Sequence, residues 1–314
     1  MTHPPFPAPG STDIALSVRT HDRVGERRVD EQWLETTWRE PATRIVPIAV
    51  TTFPVTDDPE GTRGGGDEDP GVAVRWQTAE GLPADGLRLF LGERDGVPHF
   101  ALVVPEPTDE GRWASLRGVV HLLREPDAGF LVHAVALAEW HASHRFCPRC
   151  GGRLQPAMAG HVLVCDQCGR QQFPRSDPAV IMMVTDGDRA LLGRSPSWPE
   201  GRYSTLAGFV DPGESLEEAV VREVAEETAV RVTDVTYFGN QPWPFPQSLM
   251  VGFFARAVST EISVDGAELS DARWFTREQM RAETEAGTLA LPGGISISRS
   301  LVEAWYGGPL PGSW

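Results

Sequence analysis

The sequence predicts a mixed α/β (α+β) fold with a strand-rich N-terminal domain (residues 1–140), a short cysteine-containing ribbon (141–174) and a C-terminal domain (175–314) with a mixed sheet around a central helix. Three observations predict this organisation. Short apolar runs alternate with turn residues, four cysteines form two close pairs, and an acidic helical run is flanked by strand-like segments. A chain of 314 residues can form two or three units with separate cores.

The N-terminal domain is predicted from apolar segments of strand length that are bounded by turn-forming residues. These segments are 45–50, 72–76, 87–91 and 100–104. The acidic, glycine-rich stretch 57–70 is predicted to be a mobile loop, and residues 1–11 a flexible leader without the features of a signal peptide. Residues 130–140 carry apolar side chains at helical spacing and are predicted to form a helix.

The C-terminal domain is predicted from strand-like segments on both sides of one helix. The strands are 179–184, 189–193, 249–257 and 272–275. The helix covers about 215–229 and starts with a capping box, because Ser215 is followed three residues later by Glu218. A closing helix is predicted over 296–305.

Composition and charge limit the classes of function. The net charge of −16 argues against a protein whose main task is to grip nucleic-acid phosphates over a long surface. No apolar run reaches the ~20 residues needed to cross a bilayer, so no membrane partner is expected. A cytoplasmic location is predicted by default.

The four cysteines predict a structural zinc site. Cys147, Cys150, Cys165 and Cys168 form two pairs with metal-knuckle spacing, and four thiolates leave no open position for water. Gly151, Gly152 and Gly169 are predicted to give the knuckles room for positive φ. Disulfides and unligated core cysteines are the alternatives. His161 is predicted to be an exposed strand residue of the ribbon.

The acidic helix predicts a site for a hard divalent cation. Glu223, Glu226 and Glu227 share one face of the helix, which suits Mg²⁺ or Mn²⁺. The opposite arc is predicted to pack into the core and consists of Val221, Val224, Ala225 and Thr228. Arg222 can hold one carboxylate or a phosphate. A solvated acidic face is the alternative, and the preceding loop, with Gly208 and then Glu214 at the helix mouth, weakens it.

This run resembles the Nudix box, Gly-x5-Glu-x7-Arg-Glu-U-x-Glu-Glu-x-Gly-U, in which U is aliphatic. The matching residues are Gly208, Glu214, Arg222, Glu223, Val224, Glu226, Glu227 and Val230. Ala229 replaces the final glycine, which would end the helix in a left-handed conformation at a cost to alanine of roughly 1 kcal/mol. We expect that the helix end can differ while the metal ligands remain.

The paired cysteines before the box and the segment after it are similar to the NADH pyrophosphatase subfamily of Nudix hydrolases. That segment reads Gln241, Pro242, Trp243, Pro244, Phe245, Pro246, Gln247 and Ser248. The resemblance implies hydrolysis of NADH or NAD⁺ to nicotinamide mononucleotide and AMP, removal of NAD caps from RNA, and a homodimer. It also implies that Phe173 and the 241–248 segment bind the substrate.

The resemblance further implies the roles of the metal-site residues. Glu223 and Glu227 would be direct Mg²⁺ or Mn²⁺ ligands, joined by the carbonyl of Ala207 and by Glu268. Glu226 would be a ligand or a water-orienting base, and Glu214 and Arg222 belong to the same catalytic set.

Some alternatives stay open at this point. Glu268 can be an ordinary loop acid, and 241–248 a purely structural proline-rich turn. The chain can also be a zinc-ribbon regulator that binds nucleic acid and senses a ligand. Five arginines around the ribbon can attract an RNA chain or balance nearby negative charge, namely Arg145, Arg149, Arg153, Arg170 and Arg175.

Overall fold

The computed structural model describes residues 14–17, 19–58, 71–264 and 266–310. The predicted leader and most of the predicted 57–70 loop lie outside these residues. The described chain divides into two compact units. The first unit contains residues 19–176 and 243–247, and the second contains 14–17, 177–242 and 248–310.

The first unit contains a six-stranded sheet. Its strands are β1 (Arg44–Ala49), β2 (Thr52–Asp58), β3 (Gly71–Val74), β4 (Leu87–Arg94), β5 (Val97–Val104) and β6 (Trp113–Ser115), and its helices are α1 (Glu31–Trp38), α2 (Leu116–Val119) and α3 (Glu125–Ser143). The strand order is β3-β2-β1-β5-β4, with β6 on β2 and with β1 and β5 parallel. An aromatic core forms where the ring of Trp38 meets Phe100 edge to face at 5.4 Å.

The ribbon belongs to the same compact unit as this sheet. Its strands β7 (Leu154–Ala157), β8 (Val162–Cys165) and β9 (Gln171–Gln172) are antiparallel neighbours in that order. His141 on α3 donates through Nε2 to the carbonyl of Gly160 at 2.7 Å, and a side chain at Gly160 would clash with Leu89 of β4. These contacts join the ribbon to α3 and the sheet, so the three-domain division stays a prediction.

His161 is buried, and the prediction of an exposed ribbon residue is wrong. Its exposed fraction is 8%, and its ring meets His133 of α3 edge to face at 5.1 Å. The turn before β8 directs the side chain toward α3, which the local sequence pattern could not show.

The second unit contains another six-stranded mixed sheet. Its strands are β10 (Asp177–Thr185), β11 (Arg189–Arg194), β12 (Leu206–Phe209), β13 (Val232–Trp243), β14 (Ser248–Ala257) and β15 (Asp271–Thr276), and its helices are α4 (Leu216–Thr228), α5 (Arg277–Glu285) and α6 (Ile297–Tyr306). The strand order is β13-β14-β10-β11-β15, with β12 antiparallel to β10 and with β10 and β14 parallel.

The central strand β10 separates two cores because successive side chains point to opposite faces of the sheet. Val180 and Met182 pack in the core that contains Val224 of α4. Ile181 lies between them and packs in the core that contains Leu301 of α6. Helix α4 therefore covers one face of the sheet, and α6 covers the other.

The mixed α/β class is confirmed, and each predicted strand or helix matches an observed element. Several other elements were not predicted, namely helices α1, α2 and α5 and strands β2, β6, β12 and β13. The first half of β13 lies at the sheet edge with many part-exposed side chains, so it lacks the apolar run of a buried strand. No helix in the described residues is long and apolar enough to span a membrane.

Candidate active site

The four cysteine sulfurs converge on one point. Their Sγ atoms all lie within 4.8 Å of one another, with Cys147 and Cys168 at 3.9 Å and Cys150 and Cys165 at 3.5 Å. Tetrahedral zinc with Zn–S distances of about 2.3 Å needs sulfur separations of about 3.8 Å. None of the four cysteines forms a disulfide. The cluster therefore fits a closed zinc site.

Backbone geometry supports the two knuckles. Gly151 and Gly169 have positive φ of 76° and 69°, as predicted. Gly152 does not, and it is needed for a different reason: a Cβ there would lie 2.8 Å from the Cys165 sulfur. Backbone N–H groups of Arg149 and Cys150 donate to Cys147 and lower the pKa of that thiol to about 7.

Helix α4 carries the acidic motif and begins as predicted. Ser215 accepts the N–H of Glu218, whose carboxylate accepts the N–H of Ser215. Glu223 and Glu227 lie on the buried face of this helix, and each is 6% exposed. Their burial is unusual for carboxylates, which are normally exposed unless paired or bound to metal.

The packing predicted for the opposite arc is half wrong. Val224 and Thr228 are buried, whereas Val221 is 42% exposed and Ala225 is also exposed. The buried stripe runs through Val220, Glu223 and Glu227, so these two carboxylates share the face that covers the sheet.

Arg222 organises the carboxylates in the way the sequence suggested, but it holds three of them. Its Nε and Nη2 atoms donate to the two oxygens of Glu214, each at 2.8 Å. Nη1 donates to Glu223 at 2.8 Å and to Glu226 at 2.9 Å. The N–H groups of Arg222 are thus largely occupied by carboxylates, which leaves few donors for a phosphate.

Two backbone contacts complete this arrangement and were not predicted from the sequence. Nη2 of Arg222 also donates to the carbonyl of Phe209 at 2.9 Å, and the N–H of Asp211 donates to Glu214 at 3.0 Å. The Arg222 and Asp211 donors lower the pKa of Glu214 to about 2. No side-chain pattern could have indicated Phe209, because only its carbonyl takes part.

Glu223 lies directly against the backbone of Gly208. A Cβ at Gly208 would overlap all three carboxylate atoms of Glu223, so this position requires glycine. Ala207, the predicted carbonyl ligand, precedes Gly208 on β12 and pairs with Ile181 of β10. Burial raises the pKa of Glu223, and the charges of Glu226 and Glu268 raise it further.

These groups form an oxygen-rich set that suits a hard divalent cation. Glu268 is near enough to affect the pKa of Glu223, so the structure brings this distant residue to the site. Glu226 is more exposed than its neighbours, with 61% of its side chain accessible. Within the described residues only the four cysteines bring their ligand atoms together as a metal cluster, and Arg222 binds Glu223 and Glu226.

Ala229 keeps the conformation of the glycine that it replaces. Its φ and ψ are 59° and 6°, in the left-handed region, and its N–H donates to the carbonyl of Ala225 at 2.9 Å. The helix end therefore does not differ as we expected. The alanine is instead held in a conformation that is unfavourable for a residue with a Cβ.

The 241–248 segment is divided between a strand end and a turn. Residues 241–243 end β13, 244–247 form the turn, and Ser248 begins β14. Gln241 is 1% exposed, and both ends of its amide form hydrogen bonds. Nε2 donates to the carbonyls of Ala15 and Ile295, each at 2.7 Å, and Oε1 accepts the N–H of Ile297 at 3.0 Å. Gln241 thus has a structural role, and its predicted contact with the substrate stays a prediction.

Other members of the segment keep accessible surface. Trp243 and Phe245 are part-exposed and meet edge to face at 5.1 Å. The guanidinium of Arg117 lies 4.9 Å from the Phe245 ring centroid. Pro244 is buried, whereas Phe173 on the ribbon is 59% exposed and so can offer a ring face to a ligand.

Three protein-family models match the chain. They are the NADH pyrophosphatase-like rudimentary NUDIX domain over residues 51–140, the NADH pyrophosphatase zinc ribbon domain over 142–173, and the NUDIX domain over 175–291. The resemblance drawn from the motifs is thereby confirmed. A NUDIX hydrolase structure from Nitrosomonas europaea is similar at 20% identity and a TM-score of 0.42, over 53% of this chain and 95% of its own.

Curated relatives cover most of the chain. The NAD-capped RNA hydrolase NudC of Mycobacterium bovis is 42% identical over 233 residues, which are 69% of this chain and 74% of the relative. NudC of Stutzerimonas stutzeri is 40% identical over 68% of this chain and 76% of its own. NAD-capped RNA hydrolase NUDT12 of Macaca fascicularis is 43% identical over 58% of this chain and 42% of its own. This chain belongs to the Nudix hydrolase family, in the branch that carries the NADH pyrophosphatase zinc ribbon.

Proposed function

We propose that this chain hydrolyses the pyrophosphate bond of NADH and NAD⁺, giving nicotinamide mononucleotide and AMP, and that it removes the NAD cap from RNA. The carrying observation is the pair of buried carboxylates, Glu223 and Glu227, on the face of α4 that lies against the Gly208 backbone. The relatives named as NAD-capped RNA hydrolases support the choice of substrate.

Glu223, Glu227, Glu268 and the Ala207 carbonyl are proposed to hold Mg²⁺ or Mn²⁺. A bound ion of this type neutralises charge on bridging phosphates and activates a water. Burial and neighbouring acids raise the pKa of Glu223, because both disfavour its ionised form. A bound divalent cation would stabilise that ionised form. Glu226, with 61% of its side chain exposed, is proposed to be a further ligand or the group that orients the attacking water.

Arg222 is proposed as a positioning residue rather than a phosphate ligand. Its guanidinium joins Glu214, which precedes the helix, to Glu223 and Glu226 within it. Charge-assisted bonds of this kind fix both angle and distance. Glu214 therefore contributes to catalysis by holding Arg222 in place.

Substrate recognition is proposed to use exposed aromatic rings. Phe173 and Trp243 present surface on which a nicotinamide or adenine ring can stack. Proline and turn residues hold this surface rigid, namely Pro242, Pro244, Phe245, Pro246, Gln247 and Ser248. A homodimer and a cytoplasmic location remain part of the proposal, and sedimentation of the purified chain tests the first of them.

The test of the catalytic assignment is Glu227→Gln, assayed as AMP release from NADH with added Mg²⁺ or Mn²⁺. We expect release to fall by at least about 100-fold, because the substitution removes a buried anionic ligand while keeping its shape. Glu217→Gln is the matched control, since Glu217 is an exposed acid of the same helix. Equal rates for the two variants would contradict the assignment.

A further inference from the structure

The ribbon has a charge opposite to that of the rest of the protein. The ribbon and the two residues that follow it, residues 141–176, contain five arginines and one acid, Asp166, a formal charge of +4. The whole chain carries −16, so the remainder carries −20. The family models assign the ribbon as a zinc domain, and that role alone does not require such a concentration of positive charge.

The metal centre does not account for this charge. Four thiolates around one Zn²⁺ leave a charge of about −2, which two arginines offset. All five ribbon arginines are exposed, and among the residues that the structure describes none of them forms an ion pair with a carboxylate. Several guanidinium groups are therefore free to bind an anionic partner.

The arginines nearest to the cysteine cluster lie on adjoining segments. Phe146 pairs with Arg153 in an antiparallel bridge, and the carbonyl of Arg145 accepts the N–H of Leu154 at 3.1 Å. Arg149 lies within the first knuckle. Arg170 follows the second knuckle, where its carbonyl accepts the N–H of Cys165 at 2.9 Å. The close approach of the four sulfurs brings the two knuckles together.

An exposed aromatic ring lies among these charges. Phe146 is 57% exposed, and the guanidinium of Arg153 lies 5.7 Å from its ring centroid. Guanidinium groups that bind phosphates, combined with exposed rings on which bases stack, are the usual elements of a surface for single-stranded nucleic acid.

We infer that the basic face of the ribbon, formed by Arg145, Phe146, Arg149, Arg153 and Arg170, binds the single-stranded RNA chain that follows the NAD cap. This inference rests on the proposed function. The acidic remainder of the protein repels RNA, so this face is where an RNA chain gains most in electrostatic energy. Free NADH has no chain to bind there, so its hydrolysis does not depend on the basic face.

The test compares wild type with the triple variant Arg149→Gln, Arg153→Gln and Arg170→Gln. Binding of a 5′-hydroxyl RNA of about 16 nucleotides is measured by fluorescence anisotropy over a salt series. Loss of three phosphate contacts should reduce the slope of log K against log salt by about 2 and weaken binding about 100-fold near 0.1 M salt. NADH turnover should stay unchanged, and kcat/KM for NAD-capped RNA should fall.

Two further variants separate charge at this face from other effects. Arg39→Gln, Arg94→Gln and Arg112→Gln together change the net charge equally, but these arginines pair with acids outside the ribbon. We expect this control to bind RNA nearly as wild type does. Phe146→Ala should weaken binding about tenfold without changing the salt slope, because stacking releases no counterions.

The outcomes distinguish this inference from the proposed function. If wild type hydrolyses neither NADH nor capped RNA, the proposed function fails, whatever the RNA affinities are. If wild type is active and the ribbon variant binds RNA as tightly as the control, the basic face is not an RNA site. A parallel fall in NADH and capped-RNA turnover would also overturn the inference, because the arginines would then support folding or assembly.

Discussion

Replacing Gly208 by alanine tests whether the close approach of Glu223 to the β12 backbone determines the geometry of the active site. The added Cβ would lie well inside 3.0 Å of the Glu223 carboxylate, whereas ordinary contact begins at 3.4 Å. Glu223 is buried and held by Arg222, so its carboxylate can relieve the overlap only by leaving its place. A displacement of about 1 Å at a catalytic group costs on the order of 100-fold in rate, equivalent to about 2.7 kcal/mol.

The assay is kcat/KM for metal-dependent AMP release from NADH, with the unfolding temperature of each variant as the measure of folding. Gly308→Ala is the matched control, because a Cβ there meets no atom within 4 Å. If the alanine acts through Glu223, adding Glu223→Gln to Gly208→Ala should cost little more activity. Costs that simply add, or a Gly208→Ala variant as active as the control, would refute the reasoning.

Three other predictions concern stability and metal. Ala229→Gly should stabilise the second unit by about 0.5–1 kcal/mol in urea unfolding, because relief of the left-handed cost of about 1–2 kcal/mol exceeds the added unfolded-state entropy; a lower midpoint would contradict this. Burial lowers the pKa of His99 to about 4, of His161 to about 3, and of His133 well below its usual value. These histidines should therefore not reduce the free energy of unfolding of the first unit above pH ~6.5, and should lower it below that pH by roughly 1 kcal/mol per histidine per pH unit. His161→Leu should reduce this slope in a pH series of unfolding. Zinc removal by a chelator should expose the β8 amides to hydrogen exchange, because three short strands lack an adequate core of their own; unchanged protection would exclude a structural metal.

Local spacing was sufficient to predict the parts of the site that lie close together along the chain. The two cysteine pairs predicted a tetrathiolate cluster, and the sulfurs converge as the spacing required. The capping box at Ser215 predicted where α4 begins. The three- and four-residue spacing of Glu223, Glu226 and Glu227 placed them along one side of a helix, although their burial differs.

Contacts between distant segments could not be read in the same way. The pattern did not show that Val221 and Ala225 would be exposed, because helical periodicity relates the residues to one another but does not say which arc meets the sheet. The sequence did not show that the Gln241 amide donates to carbonyls more than 50 residues away along the chain in both directions. His161 became a buried neighbour of α3 for the same reason.

The sequence by itself therefore predicted the fold class, the family, the cysteine cluster and the set of proposed catalytic acids, because each depends on residue type and on short spacing. Only the tertiary structure decided that Arg222 binds three carboxylates, that Gly208 makes room for Glu223, and that Ala229 accepts the left-handed conformation of a glycine. These features depend on burial and on backbone groups brought together from separate elements. The sequence does not show which carbonyl or which glycine backbone meets a given side chain.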